Sequence, residues 1–514
     1  APSEAVQNVI EKIDAAVEQI DYTTETITAT DGTTVTKTHI TMLKDLDPAN
    51  NAELKALIDK EAAHEQDDTQ PALSEDEAAK LSEARKAFED AKAKYLSEGF
   101  SNAQLAARQA YDALATEEEK AQVTNYSLLT DMETNIAYIM QAVNTLPEGE
   151  DVAMIGDTEY KTLDEAIAAA GDGATIEILR DCNLTQFPNK TLTFTGNGTI
   201  TLRSLKRSDL SAGKTVTFTG EGINFIWDTT GLTSEKNMDQ WLLLALSGKL
   251  NVQNKATVEF KMDSKNGEDK WITYDNNGKP VTHYCYPVCA IYVTSTTEIN
   301  VDNATFKITG INSSNIAGQG IQSESPNAKI NVTNSTFTIE GTNRGYVSSP
   351  TIYVENSTFT VQNCTSNASN GGNFTAINST VTYQNNKGHG LSAGDVILKN
   401  TDFLSDNNGL YGVYVNGEFL VDKDSTMTVT NNSYDGDCAG VNLTAAVKDG
   451  LVEAGAVVTI TGNKCSGLSN WGTCTFEEGS KLTITGNIND KGNFSRGGGI
   501  YNTKSTAHLT LPSD

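Results

Sequence analysis

The sequence predicts a mainly β protein, a right-handed parallel β-helix preceded by a small α-helical domain, on three observations. Residues 1–150 carry helical periodicity and helix-start signals. Residues 151–514 change to short strands rich in Thr, Asn, Val and Gly. Within them, five segments repeat one pattern at a nearly constant interval. A chain of 514 residues exceeds one ordinary core, so two domains are expected, divided near residue 150.

The helical domain comes first. Helical periodicity runs over about 3–21, 51–66, 74–98 and 102–144, the last broken near 115. "SEDE" at 74–77 and "TEEE" at 116–119 are capping boxes, with Ser or Thr three residues ahead of Glu. Ala79, Leu81, Ala84, Phe88 and Ala91 fall near one face of the third helix, as a bundle requires. Between the first two helices, "TTETITATDGTTVTKTHITML" alternates like a hairpin with "DG" at its turn.

One short amphipathic helix over 164–170 leads into the repeats. "TEINVDNATFKI", "AKINVTNSTFTI", "PTIYVENSTFTV", "GNFTAINSTVTY" and "GDVILKNTDFLS" align on a central Asn at 303, 334, 356, 378 and 400, at intervals of 31, 22, 22 and 22 residues. A 22-residue period of short strands fits one coil of a parallel β-helix, stacked on its neighbour at about 4.8 Å. The alignment predicts three inward stacks. They are Ile299, Ile330, Ile352, Phe374 and Val396; Val301, Val332, Val354, Ala376 and Leu398; and Phe306, Phe337, Phe359, Val381 and Phe403. The recurring Asn suits a tight bend, where its backbone tolerates a left-handed conformation. A companion strand opens with Gly at "GLSAG", "GVYVN", "GVNLT", "GLSNW" and "GIYNT". A sandwich or propeller needs several antiparallel strands per unit, which three inward stacks at one spacing do not supply.

Charge narrows the partners. Lys and Arg total 38 against 67 Asp and Glu, a net charge of -29, which repels nucleic acid and anionic membrane. No apolar run approaches the roughly 18 residues of a membrane span. The seven cysteines (182, 285, 289, 364, 438, 465, 474) are odd in number and loosely spaced, so a full disulfide framework is excluded. "HYCYPVCAIYV" sets His283 near Cys285 and Cys289 without further ligands at a recognisable spacing, so no metal or cofactor is expected there. "YDGDC" at 434–438 has calcium-ligand chemistry but reads more simply as a solvated acidic loop. "NVT", "NST" and "NCT" would be glycosylation sequons in a eukaryotic secreted chain, but they recur with the Asn and Thr columns and read as part of that scaffold.

Chemistry belongs on the outward positions. Five residues before each Asn stand Glu298, Lys329, Thr351, Asn373 and then Asp395. Two residues after it stand Thr305, Thr336, Thr358, Thr380 and then Asp402, which interrupts a threonine column. A looser alignment of the next coil sets Glu418 beside Asp395. Two carboxylates at about 5 Å repel, a known way to hold a protonated acid beside an ionised base or nucleophile. His389, Tyr411, Tyr414, Tyr434 and Trp471 lie nearby in the repeats, and aromatic rings suit the apolar faces of sugars. Aspartate also decorates the surface of any acidic protein, and Asp-Asn is ordinary turn chemistry, so composition alone leaves both readings open.

The helical stretch "ARQAYDALATEEEKAQVTNYSLLTDME" resembles spacer modules of secreted and surface proteins of Gram-positive gut bacteria. A helical domain ahead of a right-handed parallel β-helix, with Asp395 and Asp402 seven positions apart, resembles the lacto-N-biosidases of glycoside hydrolase family 136. The resemblance implies an extracellular or cell-surface retaining glycosidase that releases lacto-N-biose from milk or host oligosaccharides. It also implies that the two aspartates serve as nucleophile and acid/base. That role requires a concave path between them, because retaining enzymes hold their carboxyls about 5–5.5 Å apart; otherwise the working pair is another, such as Asp395 with Glu418. The alternative function is a non-catalytic surface adhesin or glycan-binding β-helix. A polysaccharide lyase fits less well, since Arg344 and Arg496 are the only arginines after residue 300 and the net charge repels polyuronates.

Overall fold

A computed structural model describes the chain except for residues 1, 29–33, 67–68, 96, 143–150, 233–241, 265–269, 275–278, 285–287, 295–296, 314–317, 326, 349, 433–438, 465, 489–497, 503–505 and 514. The chain divides into two units, Ala1–Glu148 and Gly149–Asp514.

The first unit is helical. Its main helices are Glu4–Val17, Ala52–Gln66, Glu75–Tyr95, Glu98–Asp112 and Tyr126–Ala142, with the short Glu117–Lys120 between the last two. The expected caps are present. Ser74 and Glu77 exchange backbone and side-chain bonds at 2.8 and 3.3 Å, and Thr116 with Glu119 closes a second box. Leu81, Phe88 and Ala91 are buried as the periodicity predicts, whereas Ala79 is exposed. The core gathers Val6, Val9 and Ile13 with Phe88, Phe100 and Met132. At its centre the fully buried Asn135 binds the Leu43 N–H (2.9 Å), the Thr41 carbonyl (2.9 Å) and the Tyr95 hydroxyl (2.7 Å). A buried amide is tolerated only when its bonds are made in this way. The expected hairpin is there as well, Tyr22–Thr28 antiparallel to Thr34–Ile40.

The second unit is built from long series of parallel strands. Each repeat contributes one strand to each series, and each strand pairs in parallel with its counterpart one repeat on. One series runs Glu298–Asp302, Lys329–Thr333, Thr351–Glu355, Phe374–Ile377 and Val396–Lys399. The next runs Thr305–Ile311, Thr336–Glu340, Thr358–Gln362, Thr380–Gln384 and Asp402–Asp406. Register follows the predicted columns, because a one-residue slip would turn every apolar side chain outward. Ile330 faces Ile352, Val332 faces Val354 and Phe337 faces Phe359. All three inward columns are buried. Phe306, Phe337 and Phe359 stack nearly parallel at 5.0 and 5.1 Å.

The third series holds the Gly-led strands. Leu391–Ala393, Val413–Val415, Ala439–Leu443, Ser466–Asn470 and Ile500–Asn502 form one parallel sheet. Close approach requires the leading glycines Gly390, Gly412, Gly440 and Gly467, but not Gly499, where a Cβ would meet open space. A Cβ on Gly412 would run into Val429 and Asn432.

The bend asparagines behave as expected. Asn303, Asn334, Asn356, Asn378 and Asn400 all have positive φ, between 43° and 52°. Two further asparagine columns were not read from the sequence. Asn363, Asn385, Asn407 and Asn431 make left-handed bends at the end of the second series. Beside them, Asn386, Asn408, Asn432, Asn463 and Asn487 form an inward ladder, each Nδ2 donating to the next Oδ1 at 2.8–3.0 Å.

Cys182, Cys289, Cys364 and Cys474 are buried free thiols, and burial pushes each up to about 12. Cys285, Cys438 and Cys465 lie outside the described residues, as does the 434–438 loop. Among the described residues no group of His, Cys, Asp and Glu could hold a metal ion. No described helix is long and apolar enough to cross a membrane.

Candidate functional site

The strand Val396–Lys399 separates the two aspartates singled out by the sequence. Asp395 immediately precedes it, and Asp402 opens the next strand after the bend at Asn400 and Thr401. Asn400 is exposed at φ 43°, while Thr401 is buried, so the bend is convex. The strand alone spans roughly 13 Å at about 3.3 Å per residue. The concave path that a close Asp395–Asp402 pair requires is therefore absent.

Each aspartate instead engages its own neighbour. Asp402 lies in register between Thr380 and Thr426. Its Oδ1 accepts the Thr426 hydroxyl at 2.5 Å. Its strand neighbour Thr380 lines a polar corner groove of about 500 Å³ that runs along Asn334, Asn356, Asn378, Thr336 and Thr358. Asp395 stands one strand away. Its N–H donates to Asn373 Oδ1 (3.1 Å), and its Oδ1 accepts the Glu418 N–H (2.7 Å). Val396 also donates to the Glu418 carbonyl (2.8 Å), which fixes Asp395 and Glu418 as neighbours on successive strands. Gly417 makes this approach possible, since a Cβ there would meet Asp395 Oδ1.

The Asp395 side of the molecule carries a cleft of about 460 Å³. Its polar walls are Thr351, Asn370, Asn373, Ser392 and Asn416, and Tyr414 supplies a ring. Gly371 and Gly372, at φ 85° and 81°, carry the chain around its edge. The amide oxygens of Asn373 and Asn416 are already used, by the Asp395 N–H and by the Thr444 hydroxyl (2.7 Å). Their amide nitrogens are thereby left as donors toward the cleft. Tyr414 is backed by a file of rings: Tyr411 lies 5.2 Å from it, and His389 stacks on Tyr411 at 5.3 Å and 17°.

His389 stands behind the cleft and not in its wall. Its Nδ1 is buried without a hydrogen-bond partner, and burial pushes the imidazole down to about 4. It is thus neutral at physiological pH and serves as a flat packing surface, not as a cation. Trp471 lies two strands beyond Asn416, reached through Thr444. Its indole N–H donates to Ser469 Oγ (3.0 Å), and its ring meets Tyr501 edge-on at 6.5 Å. Tyr434 lies outside the described residues.

The structure thus brings Tyr411, Tyr414 and His389 together, makes Asp395 and Glu418 neighbours of each other next to Asn373 and Gly394 of the cleft lining, with neither carboxylate itself among the lining residues, and leaves Asp402 on another strand series. Asn370, Ser392 and Asn416 were not singled out from the sequence. Their signal was faint, because Asn and Ser fill these repeats for structural reasons throughout. No protein-family model matches the chain, and no match was found among curated proteins or solved structures.

Proposed function

We propose that residues 149–514 are a right-handed parallel β-helix that binds oligosaccharide in the Tyr414 cleft, in a protein that works outside a bacterial cell or at its surface. The observation that supports this is one cleft combining an aromatic ring with uncharged amide and hydroxyl groups. Sugars present apolar C–H faces to rings and hydroxyls to fixed polar groups, and sites of this volume suit small ligands. The test is titration calorimetry with lacto-N-tetraose and related neutral glycans. Saturable binding that Tyr414→Ala weakens supports the reading. No binding to any glycan tested, with the fold intact, defeats it.

A second reading is a retaining glycosidase of the lacto-N-biosidase type acting at the same cleft. It is favoured by the adjacency of Asp395 and Glu418, since strands about 4.8 Å apart place carboxyls near the separation of about 5–5.5 Å that retention uses. In this reading one carboxylate attacks the anomeric carbon while the other protonates the leaving oxygen and then activates water. The convex bend counts against Asp402 as a partner. Thin-layer chromatography after incubation with lacto-N-tetraose separates the two readings: a released disaccharide supports hydrolysis, and unchanged substrate supports binding alone.

A further inference from the structure

The strands that lead into the Gly-led sheet carry an arginine that the protein itself does not pair. Gln319–Ser323, Tyr346–Val347 and Ser369–Asn370 follow one another in parallel and continue into Leu391–Ala393. Register sets Gln319 opposite Arg344. Backbone bonds of 2.8–3.2 Å then run from the Gly320 N–H to the Arg344 carbonyl, from Gly345 to Asn367, from Ala368 to His389 and from Gly390 to Tyr411. Gln319, Arg344, Asn367, His389 and Tyr411 therefore form one column on successive strands, each half-buried. At about 4.8 Å per strand, Arg344 stands roughly 10 Å from His389 and roughly 14 Å from Tyr411 along it. Tyr411 lies 5.2 Å from Tyr414. The column thus runs beside Asn370, Ser392 and Tyr414 of the cleft lining.

Arg85, Arg108, Arg203 and Arg207 each pair with a carboxylate. The Arg344 side chain makes neither an ion pair nor a hydrogen bond with any described residue, and its Nε is buried without a partner. The chain has 67 acidic residues against 38 basic ones, yet none of the described ones is set beside this guanidinium. An arginine partly withdrawn from water without an acceptor is destabilising, and a bound oxyanion offsets that cost through charge-assisted, bidentate bonds. Its column neighbours suit such a guest. The Asn367 Oδ1 accepts the His389 N–H (3.0 Å), which leaves the Asn367 Nδ2 as a donor one strand from Arg344. On the other side the Gln319 Oε1 also lacks a partner.

We propose that Arg344 is the subsite for an acidic group on the oligosaccharide, a carboxylate or a sulfate carried by a different sugar unit from the one that packs on Tyr414. This rests on the Tyr414 cleft as the place where oligosaccharide binds, and it names the class of glycan: acidic, with its charge on the Arg344 side of the rings. A sugar acid fits better than a bare inorganic anion, because its hydroxyls donate to an amide oxygen such as that of Gln319 while its oxyanion takes Arg344 and Asn367. The net charge of -29 does not forbid this. Repulsion from distant carboxylates is screened beyond about 8 Å at physiological salt, so the guanidinium governs its own surroundings.

The test is titration calorimetry of the full chain with lacto-N-tetraose, a monosialylated form of it and a monosulfated form. At least one acidic form should bind about ten-fold tighter than the neutral one, and which of them does so tells carboxylate from sulfate. Arg344→Gln should bring the acidic-to-neutral ratio within about two-fold with unchanged circular dichroism, since the side chain holds no other part of the protein. Arg344→Lys should keep part of the preference, as a point charge without the fork geometry. Arg207→Gln, whose guanidinium is already paired with Asp209, should keep all of it. Equal affinity for neutral and acidic forms, or a preference that survives Arg344→Gln, overturns the proposal and leaves the Tyr414 cleft standing. A preference lost in Arg344→Gln while Tyr414→Ala changes nothing supports the anion subsite and defeats the cleft. No binding of any form overturns both.

Discussion

Asp395 Oδ1 accepts the backbone N–H of Glu418 at 2.7 Å, across the gap between two successive strands. This bond ties the two carboxylate-bearing residues together, and the Asp395 N–H in turn bonds Asn373, a residue of the Tyr414 cleft. Asp402 belongs to a different strand series and bonds Thr426 instead. The geometry therefore ranks the acidic residues before any assay.

If the cleft hydrolyses glycans, that ranking predicts the mutants. Asp395→Asn and Glu418→Gln should each reduce turnover at least 1000-fold, the scale of losing a nucleophile or a proton donor. Asp402→Asn should retain turnover within about three-fold. Initial rates of disaccharide release measure this. Loss of activity in Asp402→Asn with retention in Glu418→Gln would reverse the assignment.

Tyr414 is expected to dominate affinity. Truncation to Ala removes the ring that faces the cleft and leaves Tyr411 uncovered, at a cost of about 1.4 kcal/mol or more, which is about ten-fold in Kd. Trp471→Ala should leave Kd within about two-fold, because its indole is engaged with Ser469 and Tyr501 two strands away. Titration calorimetry of both variants with one glycan decides between them.

Much of this architecture was legible in the sequence because parallel in-register pairing converts a period into a stack. Ile330, Ile352 and Phe374 are three similar residues at one phase of the repeat, and one phase of the repeat is one column of the core. The convex bend was legible at Asn400 for the same reason. The cleft was not. It forms where Asn373, at the start of a first-series strand, meets Ser392 and Asn416 of the Gly-led series around Gly371, Gly372 and Gly394. Side chains that build scaffold elsewhere in the repeats line a site here, and only their three-dimensional setting distinguishes them. The inward ladder through Asn408 was hidden differently. Asn386, Asn408 and Asn432 sit next to bend asparagines in "NN" pairs, and the sequence does not say which of the two turns inward, while Asn463 and Asn487 follow bend glycines.

That ladder should matter for stability. Asn408 is fully buried, donating to the Tyr383 carbonyl (3.0 Å) and to Asn432 Oδ1 (3.0 Å) while accepting from Asn386 Nδ2 (2.8 Å). Asn408→Ala leaves those partners unsatisfied, at about 2–4 kcal/mol. Asn407→Ala, at the neighbouring exposed bend, loses one surface amide bond and a favourable left-handed residue, at about 1 kcal/mol. Urea unfolding monitored by tryptophan fluorescence should rank the two in that order.

His389 makes the second unit acid-sensitive. Burial holds its folded value near 4, below the ordinary 6.5, so the unfolded chain takes up the proton first. The stability associated with the neutral ring is complete above about pH 6.5 and is lost as pH falls toward 4, by at most about 3 kcal/mol. His389→Phe keeps a flat ring against Tyr411 and removes the titration. Between pH 7 and pH 4.5 the wild type should therefore lose more stability than the variant, the carboxylates common to both cancelling in the difference. Urea midpoints at the two pH values measure this. Equal losses in the two proteins would mean that the imidazole is solvated in the folded state, contrary to its orphaned Nδ1 and its stacking on Tyr411.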